Sequence, residues 1–302
     1  MKVRIIRSDE IYKKMMDSDK DKKDEIFRYQ LMKPFEFKWQ CINVPIKAKH
    51  SGGYDVVMAC SMLGFVEPKD VDISYSNELD LLSDDKFWNK CEDTISKSIK
   101  RFLDIGYTPQ IDEYVFTVLL ANPKNPFVKM SDGYTGDGGI PGYIILGLVP
   151  SQYTLKRAHV ALAHECNHNI RWQFQKWSTK VTLADMMVSE GLAEVFAVTQ
   201  FGDENIGPWV SKCDWDKNQL LIKQKIKNAL EVTGFDGITP YLYGDDIAKL
   251  QGFFEVGLPY CAGYACGYYL VKEYLKITGQ SIEKATLTET NKILQCTDSF
   301  WV

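Results

Sequence analysis

The chain has 302 residues, of which 45% are hydrophobic and 25% charged, and its formal net charge is −4. This composition is typical of a globular protein, and the slight acidity argues against a nucleic-acid partner. No stretch approaches the ~18 apolar residues of a membrane-spanning helix, and the first residues lack the apolar core of a secretion signal. We therefore expect a cytoplasmic protein without a membrane segment; the sequence does not indicate its oligomeric state.

Residues 1–75 are predicted to form an N-terminal accessory region. Ser8 can cap a helix that runs to about Met16, and a second helical pattern stops before Pro34. Residues 54–66 are apolar and fit either a helix or a buried strand, because their periodicity does not decide between the two.

Residues 76–178 are predicted to form a subdomain that contains a sheet and a central helix. Apolar residues recur every three to four positions from Asp84 to Gly106, as in an amphipathic helix. Two strands and a second helix follow, with a glycine-rich loop between the strands. These elements are predicted over residues 114–120, over residues 142–148, and from Ser151 or Thr154 past Trp172.

The second helix carries the sequence His-Glu-Cys-Asn-His at residues 164–168. His164 and His168 lie one turn apart on one helix face, so that both imidazoles can bind one metal ion. Glu165 can reach a water molecule on that metal, and this is the chemistry of zinc-assisted hydrolysis. The alternative is a pair of hydrogen-bonded core histidines. His159 lies about 140° round the helix from His164 and is interpreted as structural.

Residues 179–302 are predicted to form a helical C-terminal subdomain. A helix over residues 183–201, capped by Thr182, carries Glu190 and Glu194 one turn apart among apolar residues. Buried carboxylates need a partner or a metal ion. We therefore predict that Glu190 is the third metal ligand and that Glu194 supports a ligand histidine. The alternative is an exposed acidic stripe.

A later helix, from Pro259 to about Ile277, carries small residues and tyrosines at four-residue spacing. The small residues predict a close approach to a neighbouring helix. The tyrosines fit either catalysis or packing with hydroxyl groups at a wet boundary. The residues concerned are Gly263 and Gly267, and Tyr260, Tyr264 and Tyr268.

These motifs resemble the gluzincin zinc metallopeptidases, the thermolysin-like class, and within it the predicted zinc-dependent proteases of the YjaZ type. The resemblance rests on residues 164–168, 189–194 and 263–268 and covers roughly residues 85–280. The Gly-x-Met-Glu-Asn signature of the related aminopeptidases is absent. The resemblance implies an α+β, thermolysin-like (zincin) fold. A small mixed β-sheet would cover an active-site helix, followed by a mostly helical C-terminal lobe.

The resemblance also assigns roles to the residues of the site. It implies one zinc ion per chain, bound by His164, His168 and Glu190. Glu165 would be the general base for the attacking water and then the proton donor to the leaving amine. Glu194 would orient His164.

The expected activity is hydrolysis of peptide bonds in a peptide or protein substrate by an endopeptidase. Tyr264 is expected to stabilise the oxyanion, and Tyr260 or Tyr268 could serve instead. Two other functions fit the sequence: a non-catalytic zinc-binding or regulatory protein on the same fold, and a hydrolase of a non-peptide amide. The intact Glu165 favours hydrolysis, because a purely structural zinc site needs no additional base.

The strand over residues 142–148 precedes the motif helix directly. We expect it to form the edge of the sheet that faces the cleft. An extended peptide could add to such an edge through main-chain hydrogen bonds, which give affinity with little sequence preference.

Overall fold

The fold is described by a computed structural model that covers residues 1–50, 52–176, 178 and 180–302. Helices predominate, and four strands form one small sheet. The strands are β1 (Lys2–Ile5), β2 (Glu113–Leu120), β3 (Tyr134–Asp137) and β4 (Tyr143–Leu148). The helices are α1 (Ser8–Met16), α2 (Lys20–Ile26), α3 (Glu36–Cys41), α4 (Val56–Met62), α5 (Ser76–Leu82), α6 (Asp85–Asp104), α7 (Pro126–Met130), α8 (Gln152–Phe174), α9 (Leu183–Phe201), α10 (Pro208–Ser211), α11 (Trp215–Lys227), α12 (Phe235–Tyr243), α13 (Asp245–Leu250), α14 (Ala262–Thr278), α15 (Ile282–Thr286) and α16 (Thr290–Cys296).

The chain divides into two compact units. The first consists of residues 1–98 and 110–165, and the second of residues 99–109 and 166–302. The long helix α8 contributes residues to both. The sequence-based division at residues 75 and 178 stays a prediction.

The sheet of the first unit is mixed, with the strand order β1-β2-β4-β3. Strands β1, β2 and β4 run parallel, and β3 is antiparallel to β4. The predicted α+β class with a small mixed sheet is therefore confirmed, while the thermolysin-like fold stays a prediction. The first strand comes from the region that the sequence suggests is accessory.

The strand expected at the edge of the sheet lies inside it, and this expectation is wrong. Strand β4 pairs with β2 on one side and with β3 on the other. Residues 144–148 are all buried, as parallel strands covered on both faces are. The outer position belongs to β3, which lies in the segment predicted to be only a glycine-rich loop. Its four residues include Gly136 and are too few for a recognisable alternation.

Several local predictions are confirmed by hydrogen bonds at the helix ends. The hydroxyl of Ser151 accepts from the amide of Thr154, and the Thr154 hydroxyl accepts from the amide of Ser151, so α8 begins where expected. Helix α9 begins with a capping box between Thr182 and Asp185 and ends at Gly202, whose φ is 95°. The ambiguous residues 54–66 contain a helix, α4, and not a strand.

In the second unit, helices α9 and α14 pack with their backbones in contact. A Cβ atom at Gly191 would collide with the backbone of Gly267, and one at Gly267 would collide with the carbonyl oxygen of Met187. The predicted close approach of Gly263 and Gly267 to neighbours is confirmed, since Gly263 packs in the same way against Leu242 of α12.

His159 is a buried histidine of the first unit, as its interpretation as structural requires. Its ring packs 5.6 Å from that of Phe87, and its Nδ1 lies 3.9 Å from the sulfur of Cys91. Burial, with a smaller contribution from the positive charge of Lys90, lowers the pKa of His159 to about 4.

We expect this histidine to destabilise the fold in mild acid. An unfolded histidine takes up its proton near pH 6.5, whereas folded His159 does so only near pH 4. Stability is therefore complete above pH 6.5 and falls towards pH 4, by roughly 2–3 kcal/mol from this group. Urea unfolding of wild type and His159→Phe, with chelator present, should show that loss in the wild type but not in His159→Phe. His50→Phe, at an exposed histidine, is the control. Parallel pH curves for wild type and His159→Phe would refute the assignment.

Candidate metal centre

Helix α8 places His164 and His168 in the interior. Residues 157–173 are all buried, so this helix is covered on every side. The two imidazoles are 3% and 7% exposed and lie one turn apart. An imidazole at each of these positions faces the same side of the helix, as the sequence spacing predicts.

Glu190 of α9 meets the second histidine. Nε2 of His168 lies 3.1 Å from Oε2 of Glu190, and both side chains are buried. Nδ1 of the same ring is 3.1 Å from the hydroxyl oxygen of Ser189. The ring is thus held at both nitrogens, and Ser189 fixes its orientation. In the sequence, Ser189 is only a small residue beside Glu190 that favours close helix packing, and its contact with His168 is not predicted.

His164, His168 and Glu190 form one cluster, whose possible ligand atoms all lie within 4.8 Å of one another. Ligand atoms around a tetrahedral zinc ion are about 3.3 Å apart, given bonds of about 2.0–2.1 Å. The separation of 3.1 Å between Nε2 of His168 and Oε2 of Glu190 is close to this value, and two imidazoles with one carboxylate are a donor set that zinc accepts. The residues therefore fit a zinc ion. The alternative of an exposed acidic stripe is wrong, because Glu190 is only 7% exposed.

Glu194 is even more deeply buried, at 1% exposure, one turn beyond Glu190. Its carboxylate accepts hydrogen bonds from the amide of Gly207 and from the indole nitrogen of Trp209, the latter at 2.7 Å. These donors satisfy the buried charge and fix the side chain in place. The role of Glu194 in orienting His164 stays a prediction.

Glu165 lies against the outer strand of the sheet and the turn that follows it. A Cβ atom at Gly136 would overlap the Glu165 carboxylate, and one at Gly138 would overlap the backbone and Cβ of Glu165. The two glycines therefore allow the main chain to pass directly over this side chain. In the sequence these glycines indicate only a turn, and their contact with Glu165 is not predicted.

Tyr264 of α14 lies near Glu190. Burial, followed by the negative charge of Glu190, raises the pKa of the Tyr264 hydroxyl well above its ordinary value. Its ring also contacts that of Tyr243, with centroids 5.4 Å apart. The hydroxyl therefore keeps its proton near neutral pH and can donate a hydrogen bond. Tyr268 is buried near Glu194 and Asp203, whose charges add to burial in raising its pKa.

In the parts of the chain that the structure describes, no helix is both long enough and apolar enough to cross a bilayer.

A buried pair of histidines one turn apart, joined by a buried glutamate, defines a candidate centre for a zinc-type metal ion. The chain belongs to the family described as "Predicted Zn-dependent protease (DUF2268)", whose model matches residues 87–295. The family that the motifs suggested is therefore confirmed.

Two proteins of Bacillus subtilis (strain 168) are similar to this chain. "Uncharacterized protein YjfC" is 36% identical over 293 residues, which cover 95% of each chain. "Uncharacterized protein YjaZ" is 29% identical over 115 residues, which cover 38% of this chain and 41% of that protein. No solved structure gives a significant match.

Proposed function

We propose that the protein is a zinc-dependent metallopeptidase that cleaves peptide bonds internally, with one zinc ion bound by His164, His168 and Glu190. The observation that carries this proposal is the buried cluster of these three side chains, next to a carboxylate, Glu165, that is outside the cluster. Zinc bound there would supply a Lewis acid for the substrate carbonyl and lower the pKa of water. A thermolysin-like fold is part of the proposal, supported by the small mixed sheet and by α8.

The protein side chains would carry the protons of the reaction. Glu165 would take a proton from the attacking water and deliver it to the leaving nitrogen. Tyr264 would donate a hydrogen bond to the oxyanion that develops on the carbonyl oxygen, since its raised pKa keeps the hydroxyl protonated. Ser189 would hold the ring of His168 from the other nitrogen.

An extended peptide would bind along β3. This strand stands at the end of the sheet order, and its Gly136 lies against Glu165. A peptide added there by main-chain hydrogen bonds would pass close to the proposed base. Unfolded segments are therefore the expected substrates.

A cavity in the second unit would receive an apolar side chain of the substrate. It has a volume of about 330 Å³ and is lined by residues that include Met186, Ile238, Leu242 and Tyr243. Met186 lies one turn before Glu190 on α9, and Tyr243 contacts Tyr264. We therefore propose that cleavage occurs beside apolar residues.

The proposal predicts one zinc ion per chain and internal cuts in unfolded proteins. Elemental analysis of wild type should give a ratio near one, and Glu190→Ala should lose most of the zinc because the site keeps only two ligands. A cleavage map of one protein, in folded and in denatured form, should show cuts beside apolar residues in the denatured form only.

The contrary results separate the alternatives. If Glu190→Ala still contains one zinc ion per chain, Glu190 is not a zinc ligand. Release of single N-terminal residues alone would contradict an endopeptidase. Stoichiometric zinc without cleavage of any peptide would favour the non-catalytic zinc protein. Cleavage of small amides without cleavage of peptides would favour a hydrolase of a non-peptide amide.

A further inference from the structure

Lys38 of α3 is a buried cation in the first unit. Its side chain is 1% exposed, and its Nζ lies 2.6 Å from Oδ2 of Asp137, whose side chain is 40% exposed. The ammonium group also lies 4.6 Å from the centre of the Trp39 ring. Lysines are rarely this buried unless they are paired. The contact with Asp137 is therefore the main reason why a charge can occupy this position.

Asp137 is the last residue of β3 and lies between Gly136 and Gly138. These two glycines are the residues whose main chain passes over Glu165. At the other end of β3, the guanidinium of Arg157 donates to the Tyr134 hydroxyl at 3.0 Å. The strand beside Glu165 is thus held by a cation at each end.

We propose that Lys38 is a positioning residue for Glu165, acting through Asp137 and the main chain of residues 136–138. The inference rests on the proposed function, which makes Glu165 the general base. It gives the N-terminal region a part in the reaction, although Lys38 lies outside the residues that the family model matches. A proton-transfer group misplaced by about 1 Å loses up to about 100-fold in rate, so the support of its surroundings matters.

The two partners of the pair differ in a way that the experiment can use. In Lys38→Met the carboxylate left behind is partly exposed and can be solvated by water. In Asp137→Asn the lysine stays buried without its counter-charge, and this is the more damaging loss for stability. Both changes break the ion pair that holds residues 136–138, and both should lower kcat by a similar factor.

The test uses Lys38→Met, Asp137→Asn, their combination and Lys38→Arg, all loaded with zinc. We expect kcat for peptide cleavage to fall about 10–100-fold in Lys38→Met, at unchanged zinc content. The double variant should be no slower than the slower single variant, since both changes break one contact. Lys38→Arg keeps the charge and should recover most of the rate. Hydrogen exchange in residues 134–138 should become at least about tenfold faster in Lys38→Met.

Lys23→Met is the matched control, because Lys23 is also a buried lysine of the N-terminal region. Its Nζ donates to the carbonyl oxygen of Val71 at 2.6 Å. This variant should lose stability but keep kcat and the slow exchange of residues 134–138. Equal losses of kcat in Lys23→Met and Lys38→Met, or no rescue by arginine, would overturn the positioning role.

Failure of the proposed function would look different. If the zinc-loaded wild type cleaves no peptide, that function fails, and hydrogen exchange alone then decides whether Lys38 holds β3. Exchange that is equally slow in wild type and Lys38→Met would overturn the inference in that case too.

Discussion

Replacing Glu165 by glutamine is expected to slow peptide hydrolysis by about 10²–10⁴-fold while zinc stays bound. Glutamine has nearly the same shape as glutamate, so it fits beside Gly136 and Gly138 without a clash. It cannot accept a proton from the attacking water. His164 and His168, which would bind the metal, are untouched by the change. The measurements are kcat/KM on an unfolded substrate and zinc content of the same preparation.

Glu92→Gln is the control, since Glu92 is an exposed glutamate on α6. It should leave the rate unchanged. If Glu165→Gln hydrolyses peptides at a rate close to that of wild type, Glu165 is not the general base, whatever the metal content. Loss of zinc in this variant would instead mean that Glu165 helps to hold the metal, which the proposed ligand set does not include.

Gly191→Ala is expected to have the second large effect, on stability and on zinc affinity together. The new methyl group would collide with the backbone of Gly267, so α9 and α14 would have to separate. Overpacking of this kind costs about 1–3 kcal/mol, and here neither partner atom belongs to a flexible side chain. Glu190 is the neighbour of Gly191, and its displacement from His168 should weaken zinc binding at least about tenfold.

Denaturant unfolding and a competition assay for zinc measure the two effects of the helix contact. Gly267→Ala should behave similarly, and the double variant should cost little more than either single one because both break the same contact. Gly139→Ala is the control, because a Cβ at Gly139 meets no atom within 4 Å. If Gly191→Ala unfolds and binds zinc like wild type, the helices do not need the close contact.

The sequence predicts the parts of the site that depend on local spacing. His164 and His168 follow from the helical period, and the start of α9 follows from its capping box. Burial of Glu190 follows from its apolar neighbours. Each of these depends on residues within a few positions of one another, and such short-range relations can be read directly.

The parts that the sequence does not reveal depend on contacts between distant segments. The position of β4 between β2 and β3 depends on the order of the strands in the sheet. A run of apolar residues does not show which position its strand takes in that order. The close fit of Gly136 over Glu165 joins residues from different elements. Strands β1 and β3 have four residues each, too few to show a period.

The pairing of β1 with β2 has a consequence for how the chain folds. Lys2 pairs with Glu113, so this contact closes a loop of roughly 110 residues. Contacts between residues so far apart in sequence form slowly, because much of the intervening chain must first be ordered. Helices such as α6 can form early from local contacts, whereas the sheet is complete only when β1 has docked. We expect this step to limit the folding rate of the first unit.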